Sequence, residues 1–129
     1  MDLALLGEGV RLAYTEQIVA RGLGPLTIAL ECGRLLTGPA GALLTRVRHL
    51  KHTYRRYAGV DATMADLMRP GIYGAYHHLT ALGKEELPHD QLYDIVGSLC
   101  ENNDKFAIQR PLPALAPGDP LLIHDTGAH

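Results

Sequence analysis

The hydrophobic period of this chain changes once, near Gly41, and that change limits what it can fold into. Before it, apolar residues recur at helical spacing. Leu3, Leu6, Val10 and Ala13 share one face, and Ile18 continues roughly in line. After it, Leu43, Thr45, Val47 and His49 alternate with Leu44, Arg46, Arg48 and Leu50, which is strand spacing. The pattern predicts an α+β chain. Residues 1–40 read as an α/β piece, and residues 41–129 as a mainly antiparallel β domain, sandwich or barrel-like.

Asp2 stands where a helix N-cap would, and the helical pattern runs to about residue 20. Gly22, Gly24 and Pro25 supply the stop. Leu26–Leu30 is a short apolar run that reads as a buried strand ending at Glu31-Cys-Gly-Arg34. Packing alone gives no reason for two charges at such a strand end. Leu35–Ala40 reads as a short helix limited by Gly38-Pro39. Strands are then expected at Leu43–Leu50, Tyr54–Asp61, Ala75–Leu82, Leu92–Leu99, Lys105–Ile108 and Leu121–His124. The first two form a hairpin. Met64–Met68 is short, helical at most, and stopped by Pro70.

Both ends read as cut. A lone buried strand normally needs parallel neighbours with helices on both faces, and the last strand runs straight into Gly127-Ala-His129. The expectation is a segment of a larger protein, or a chain completed by association. Composition excludes other classes. Apolar residues are 47% and charged residues 20%, which is globular rather than disordered. The net charge of −2 gives no electrostatic case for nucleic acid. No apolar run approaches the roughly 18 residues of a membrane span, and the start of the chain lacks the cationic segment of a signal peptide. A cytoplasmic location is expected. Cys32 and Cys100 cannot build a disulfide scaffold.

A set of motifs then occurs in order: Glu31-Cys-Gly-Arg34, Asp61-Ala-Thr-Met-Ala-Asp66, Arg69-Pro-Gly-Ile-Tyr73, Tyr76-His77, Gly97-Ser-Leu-Cys-Glu101 and Asp125-Thr-Gly-Ala128. This order resembles diaminopimelate decarboxylase, a pyridoxal-phosphate enzyme with an alanine-racemase-like barrel. The resemblance covers essentially the whole chain but only the later part of a family member. It implies that residues 1–40 are the end of the cofactor-binding barrel and that residues 41–129 are the C-terminal β domain, incomplete at its end.

The resemblance also implies roles. The cofactor is pyridoxal 5′-phosphate, whose ring absorbs the carbanion left by decarboxylation while its nitrogen stays protonated. Glu31 falls on the family's acidic partner of that nitrogen. Arg34 falls on an anion ligand near the phosphate or the substrate carboxylate, which a planar bidentate donor suits. On the sequence alone, Glu31 and Arg34 read equally well as a helix-start ion pair. Arg69 and Tyr73 resemble a substrate-binding element, and a solvated Arg beside a core Tyr is the plainer alternative. Cys100, a catalytic position, and Glu101, which would hold the far ammonium of the substrate, resemble the pair that reaches into the partner's site in a homodimer with shared active sites. Cys100 alone reads as a small buried hydrophobe. His129 stands where the family has a cofactor-proximal tyrosine, and Cys32 replaces its usual proline. The family's Schiff-base lysine and phosphate cradle match nothing here, and Lys51, Lys84 and Lys105 fit no family lysine. The chain alone is therefore expected to be inactive.

Two other classes compete. The first is a non-catalytic β domain that dimerises or binds. The second is a related ornithine, arginine or carboxynorspermidine decarboxylase, against which Cys100-Glu101 favours diaminopimelate. No metal site is expected. His49 and His52 point to opposite faces of a regular strand, and neither Cys-x-x-Cys nor His-Glu-x-x-His occurs. The basic stretch Arg46–Arg56 reads as a solvated or interface sheet face.

Overall fold

The structure is a computed structural model that describes residues 2–128. Two compact units follow one another, the first ending at Glu31 and the second beginning at Cys32.

In the first unit, Asp2 caps helix α1 (Leu3–Gln17). Its Oδ1 accepts the Ala4 and Leu5 N–H groups at 2.9 and 3.1 Å. The helix ends earlier than its apolar pattern, passing through a 3₁₀ turn at Val19–Arg21 into Gly22, whose φ of 70° favours glycine. The buried strand expected at Leu26–Leu30 does not form. That segment is exposed and belongs to no strand among the described residues. A strand is stabilised by its ladder, and here the Leu26 N–H instead donates to the Tyr14 hydroxyl at 2.9 Å.

The second unit opens with α2 (Gly33–Thr37) and a 3₁₀ turn at Gly38–Ala40. It continues with β1 (Ala42–His52), β2 (Arg56–Val60), α3 (Arg69–Tyr73), β3 (Leu79–Ala81), β4 (Gln91–Val96), β5 (Lys105–Leu112) and β6 (Pro120–His124). These form one six-stranded sheet in the order β3-β6-β1-β2-β4-β5. The sheet curls until its edges approach: Arg110 on β5 donates to the carbonyl of His77, just before β3, at 2.9 Å. The barrel-like alternative is therefore correct, and the two packed sheets of a sandwich are absent from the described residues. The interior holds Val47, Leu79, Ile95, Phe106, Leu112, Leu121 and Ile123, all at most 2% exposed. Each stabilises the fold by about 1.5–3 kcal/mol relative to exposure.

Two features escaped the sequence pattern. A bulge between Val47 and His49 adds a residue to β1. Thr45 and Val47 face inward before it, and Leu50 takes over after it, so His49 leaves the predicted inner face. In addition, β2 pairs parallel to β4, although every other pairing among the described residues is antiparallel. A parallel pair needs a crossover. That crossover carries α3 and β3. Pro70 does not stop a helix there; it sits in the first turn of α3, where its missing N–H costs nothing.

Two buried or bonded carboxylates make the sheet acid-sensitive. Burial of Asp94, 3% exposed at its side chain, opposes ionisation. N–H donors of Gln109 and the Arg55 guanidinium outweigh that and hold its pKa below the usual 3.8. Asp61 is held low chiefly by the Thr45 hydroxyl at 2.6 Å and the Arg46 N–H at 2.9 Å. Both folded pKa values are depressed. Their contribution is thus complete above the unfolded value of 3.8 and is lost as pH falls through the folded values. Urea midpoints are expected to drop below about pH 4, with a shallower drop in Asp94→Asn. An acid limb identical in the variant would show that Asp94 is not responsible.

Candidate functional site

The termini of the second unit are packed together by glycine. A Cβ on Gly127 would overlap the Thr37 carbonyl oxygen, and one on Gly41 would overlap the Gly127 backbone. The N–H groups of Thr126 and Gly127 donate to the carbonyls of Gly41 and Gly38 at 2.9 and 3.0 Å. The Asp125–Ala128 motif is thereby fixed against the turn that follows α2, the helix bearing Arg34. Gly127→Ala is expected to cost about 1–3 kcal/mol by overpacking, read from denaturant unfolding. A midpoint equal to that of the parent would contradict the close approach.

Arg34 on α2 and Arg69 and Tyr73 on α3 line one surface cavity of about 470 Å³, together with Met68. Arg69 and Tyr73 open and close the same short helix, so one turn presents both. Among the described residues, none of those lining this cavity is acidic. Two guanidinium groups beside a phenol favour an anion, a carboxylate or a phosphate.

Cys100 and Glu101 do not line that cavity. Both are exposed, on the loop between β4 and β5. Glu101 faces a separate depression of about 540 Å³ that also takes in Tyr54, Arg55, Tyr57, Asp94 and Lys105. The Glu101 Oε1 accepts the Asn103 N–H at 2.9 Å. Cys100 is not the buried hydrophobe of the plainer reading, and Tyr73 is 70% exposed rather than in the core. Glu31 is exposed at the end of the first unit, and His129 lies outside the described residues. His77, from the Tyr76-His77 motif, is buried, with Nδ1 2.8 Å from the His124 carbonyl oxygen. Lys84 is structural: its Nζ bonds the Ala114 carbonyl and the Asp119 carboxylate.

Sequence reasoning missed the residues that hold these motifs in place. Asp104 receives N–H groups from Met64 and Leu99 at 2.6 and 2.7 Å. Gly71 lets α3 approach the Asn103 carbonyl oxygen. The available signal was the Pro-Gly inside the substrate-like motif and the Asp after Asn102-Asn103, read only as a turn.

The curled mixed sheet is similar in sequence to the C-terminal sheet domain of pyridoxal-dependent decarboxylases. The model of that domain matches residues 13–127, and the chain belongs to this family. Its relatives include the Protein TabA of Pseudomonas amygdali pv. tabaci, 51% identical over 79% of this chain and 24% of that protein. The diaminopimelate decarboxylase of Methanothermobacter thermautotrophicus is 40% identical over 100% of this chain and 30% of its own length. A crystal structure of M. jannaschii diaminopimelate decarboxylase in co-complex with L-lysine superposes with a TM-score of 0.71 at 35% identity, covering 93% of this chain and 26% of that one. The chain thus spans about a quarter to a third of the relatives it matches.

Proposed function

We propose that this chain supplies the C-terminal part of a decarboxylase that converts meso-diaminopimelate to L-lysine and carbon dioxide. The observation that carries this reading is the shared cavity of Arg34, Arg69 and Tyr73. Residues separated in sequence, and expected to bind anions, line one opening. The donor set fits the charged groups of an amino-acid substrate and a phosphorylated cofactor.

Bound pyridoxal phosphate supplies the electron sink for the carbanion. Arg69 and Tyr73 hold a substrate carboxylate and orient the substrate. Arg34 holds that carboxylate or the cofactor phosphate. Glu31 keeps the ring nitrogen protonated, at the end of a barrel formed in part by residues 1–40. Glu101 holds the ammonium of the far end, with Cys100 beside it at the reacting atoms. Because Glu101 faces a different depression from Arg69, it serves the site of a second subunit, in a cytoplasmic homodimer. His129 is a hydrogen-bond donor toward the cofactor.

The test is a chimera in which this chain replaces the matching segment of the M. thermautotrophicus diaminopimelate decarboxylase. Cofactor retention and circular dichroism establish that the chimera is assembled. Lysine formation from meso-diaminopimelate is expected. Turnover of ornithine or arginine instead would reassign the substrate. An assembled, cofactor-loaded chimera that turns over none of them would favour a non-catalytic β domain.

A further inference from the structure

The loop bearing Cys100 and Glu101 has little apolar hold on the sheet, since Leu99 through Asn103 are all exposed. What fastens it is a carboxylate. Asp104 is 3% exposed, and its two oxygens are divided between two segments. Oδ1 accepts the Met64 N–H at 2.6 Å, in the stretch leading into α3. Oδ2 accepts the Leu99 N–H at 2.7 Å, next to Cys100. Gly97 makes room for this. A Cβ there would overlap the same oxygens, and its N–H donates to the Asp104 carbonyl at 2.9 Å. The contact is reinforced from the other side, where Gly71 of α3 lies so close to the Asn103 carbonyl oxygen that a Cβ would overlap it.

A buried carboxylate is costly unless hydrogen bonds compensate it, and charge-assisted bonds from backbone N–H are about twice as strong as neutral ones. The bonds within the loop, from Asn103 N–H to Glu101 and from Asp104 N–H to the Glu101 carbonyl, shape the turn but tie it to nothing else. The ties to the crossover are the Met64 bond and the Gly71 contact.

We propose that Asp104 is a positioning residue that makes the Arg69–Tyr73 helix and the Cys100–Glu101 loop one rigid body. Within one chain, the helix that binds carboxylate in its own site and the loop that reaches the partner subunit's site are then held to each other by this buried side chain, with the Gly71 contact, rather than moving as two independent loops. The roles of those groups rest on the reading above; the mechanical coupling does not.

Hydrogen exchange on the full chain, resolved by peptide, tests the coupling in two variants that act from opposite sides. Asp104→Asn turns one accepting oxygen into an N–H₂ donor facing an N–H. Gly71→Ala forces α3 away from Asn103 and leaves the carboxylate intact. In both, exchange in peptides 61–74 and 97–105 is expected to rise together by about tenfold, with β1 unchanged. If only the mutated side loosens, the coupling is wrong, and Gly71→Ala decides this even should Asp104→Asn unfold. In the chimera, Asp104→Asn is expected to raise KM for diaminopimelate about tenfold with kcat little changed; an unchanged KM would overturn the positioning role. A chimera inactive regardless of residue 104 would defeat the functional reading, while the exchange data would still decide the coupling.

Discussion

Incubated with pyridoxal phosphate and dialysed, the purified 129-residue chain is expected to retain no stoichiometric cofactor and to form no lysine from meso-diaminopimelate. Family enzymes hold the cofactor through a lysine amine and a glycine-rich cradle of N–H groups, and neither is identifiable among these residues. Of the lysines, Lys84 is engaged by Asp119 and the Ala114 carbonyl, while Lys51 is exposed on β1. The chain is also expected to associate. Leu23, Leu26, Ile28 and Leu30 are each about half exposed or more, in a segment without strand partners among the described residues. Such surfaces drive self-association. Absorbance of the dialysed sample, a lysine assay and sedimentation velocity provide the check. Retained cofactor together with lysine production would mean that this chain holds a complete site.

In the cofactor-loaded chimera, Arg69→Ala is expected to lower kcat/KM for diaminopimelate by about 100-fold or more. Hydrogen bonds to charged groups contribute about 1.5–3 kcal/mol each, and a guanidinium can make two to one carboxylate. Tyr73→Phe removes one hydroxyl bond to that carboxylate, and a loss of about ten- to 100-fold is expected. Neither change should disturb folding, because neither residue is buried. Steady-state kinetics against diaminopimelate read the effect directly. Values within twofold of the parent for Arg69→Ala would remove the cavity from the substrate site.

The legible parts of this protein are those fixed by near neighbours in sequence. Asp2 caps α1 by bonding N–H groups two and three residues ahead, so a local pattern suffices. The alternation through Thr45 and Val47 marks a half-buried strand, and β1 is one. Tyr54–Asp61 reads as the return of a hairpin, and β2 does pair antiparallel with β1. The ordered motifs pointed to the family, and the family is the one found.

What stayed hidden depends on partners far away in the chain. Leu26–Leu30 has the apolar character of a strand, yet character does not provide a neighbour, and the segment remains exposed. The bulge after Val47 inverts the faces of β1 beyond it, which no period-2 count anticipates. The sequence by itself determined the change of period at Gly41, the strand-forming segments after it and the residue types suited to an anion site. The tertiary structure alone decided that β2 runs parallel to β4, so that the crossover between them carries α3. It alone gathered Arg34, Arg69 and Tyr73 around one cavity and set Glu101 on another. The physical reason is range. Helix caps and strand alternation are satisfied within a few residues, whereas the buried Asp104 carboxylate must find its N–H partners wherever the folded chain brings them.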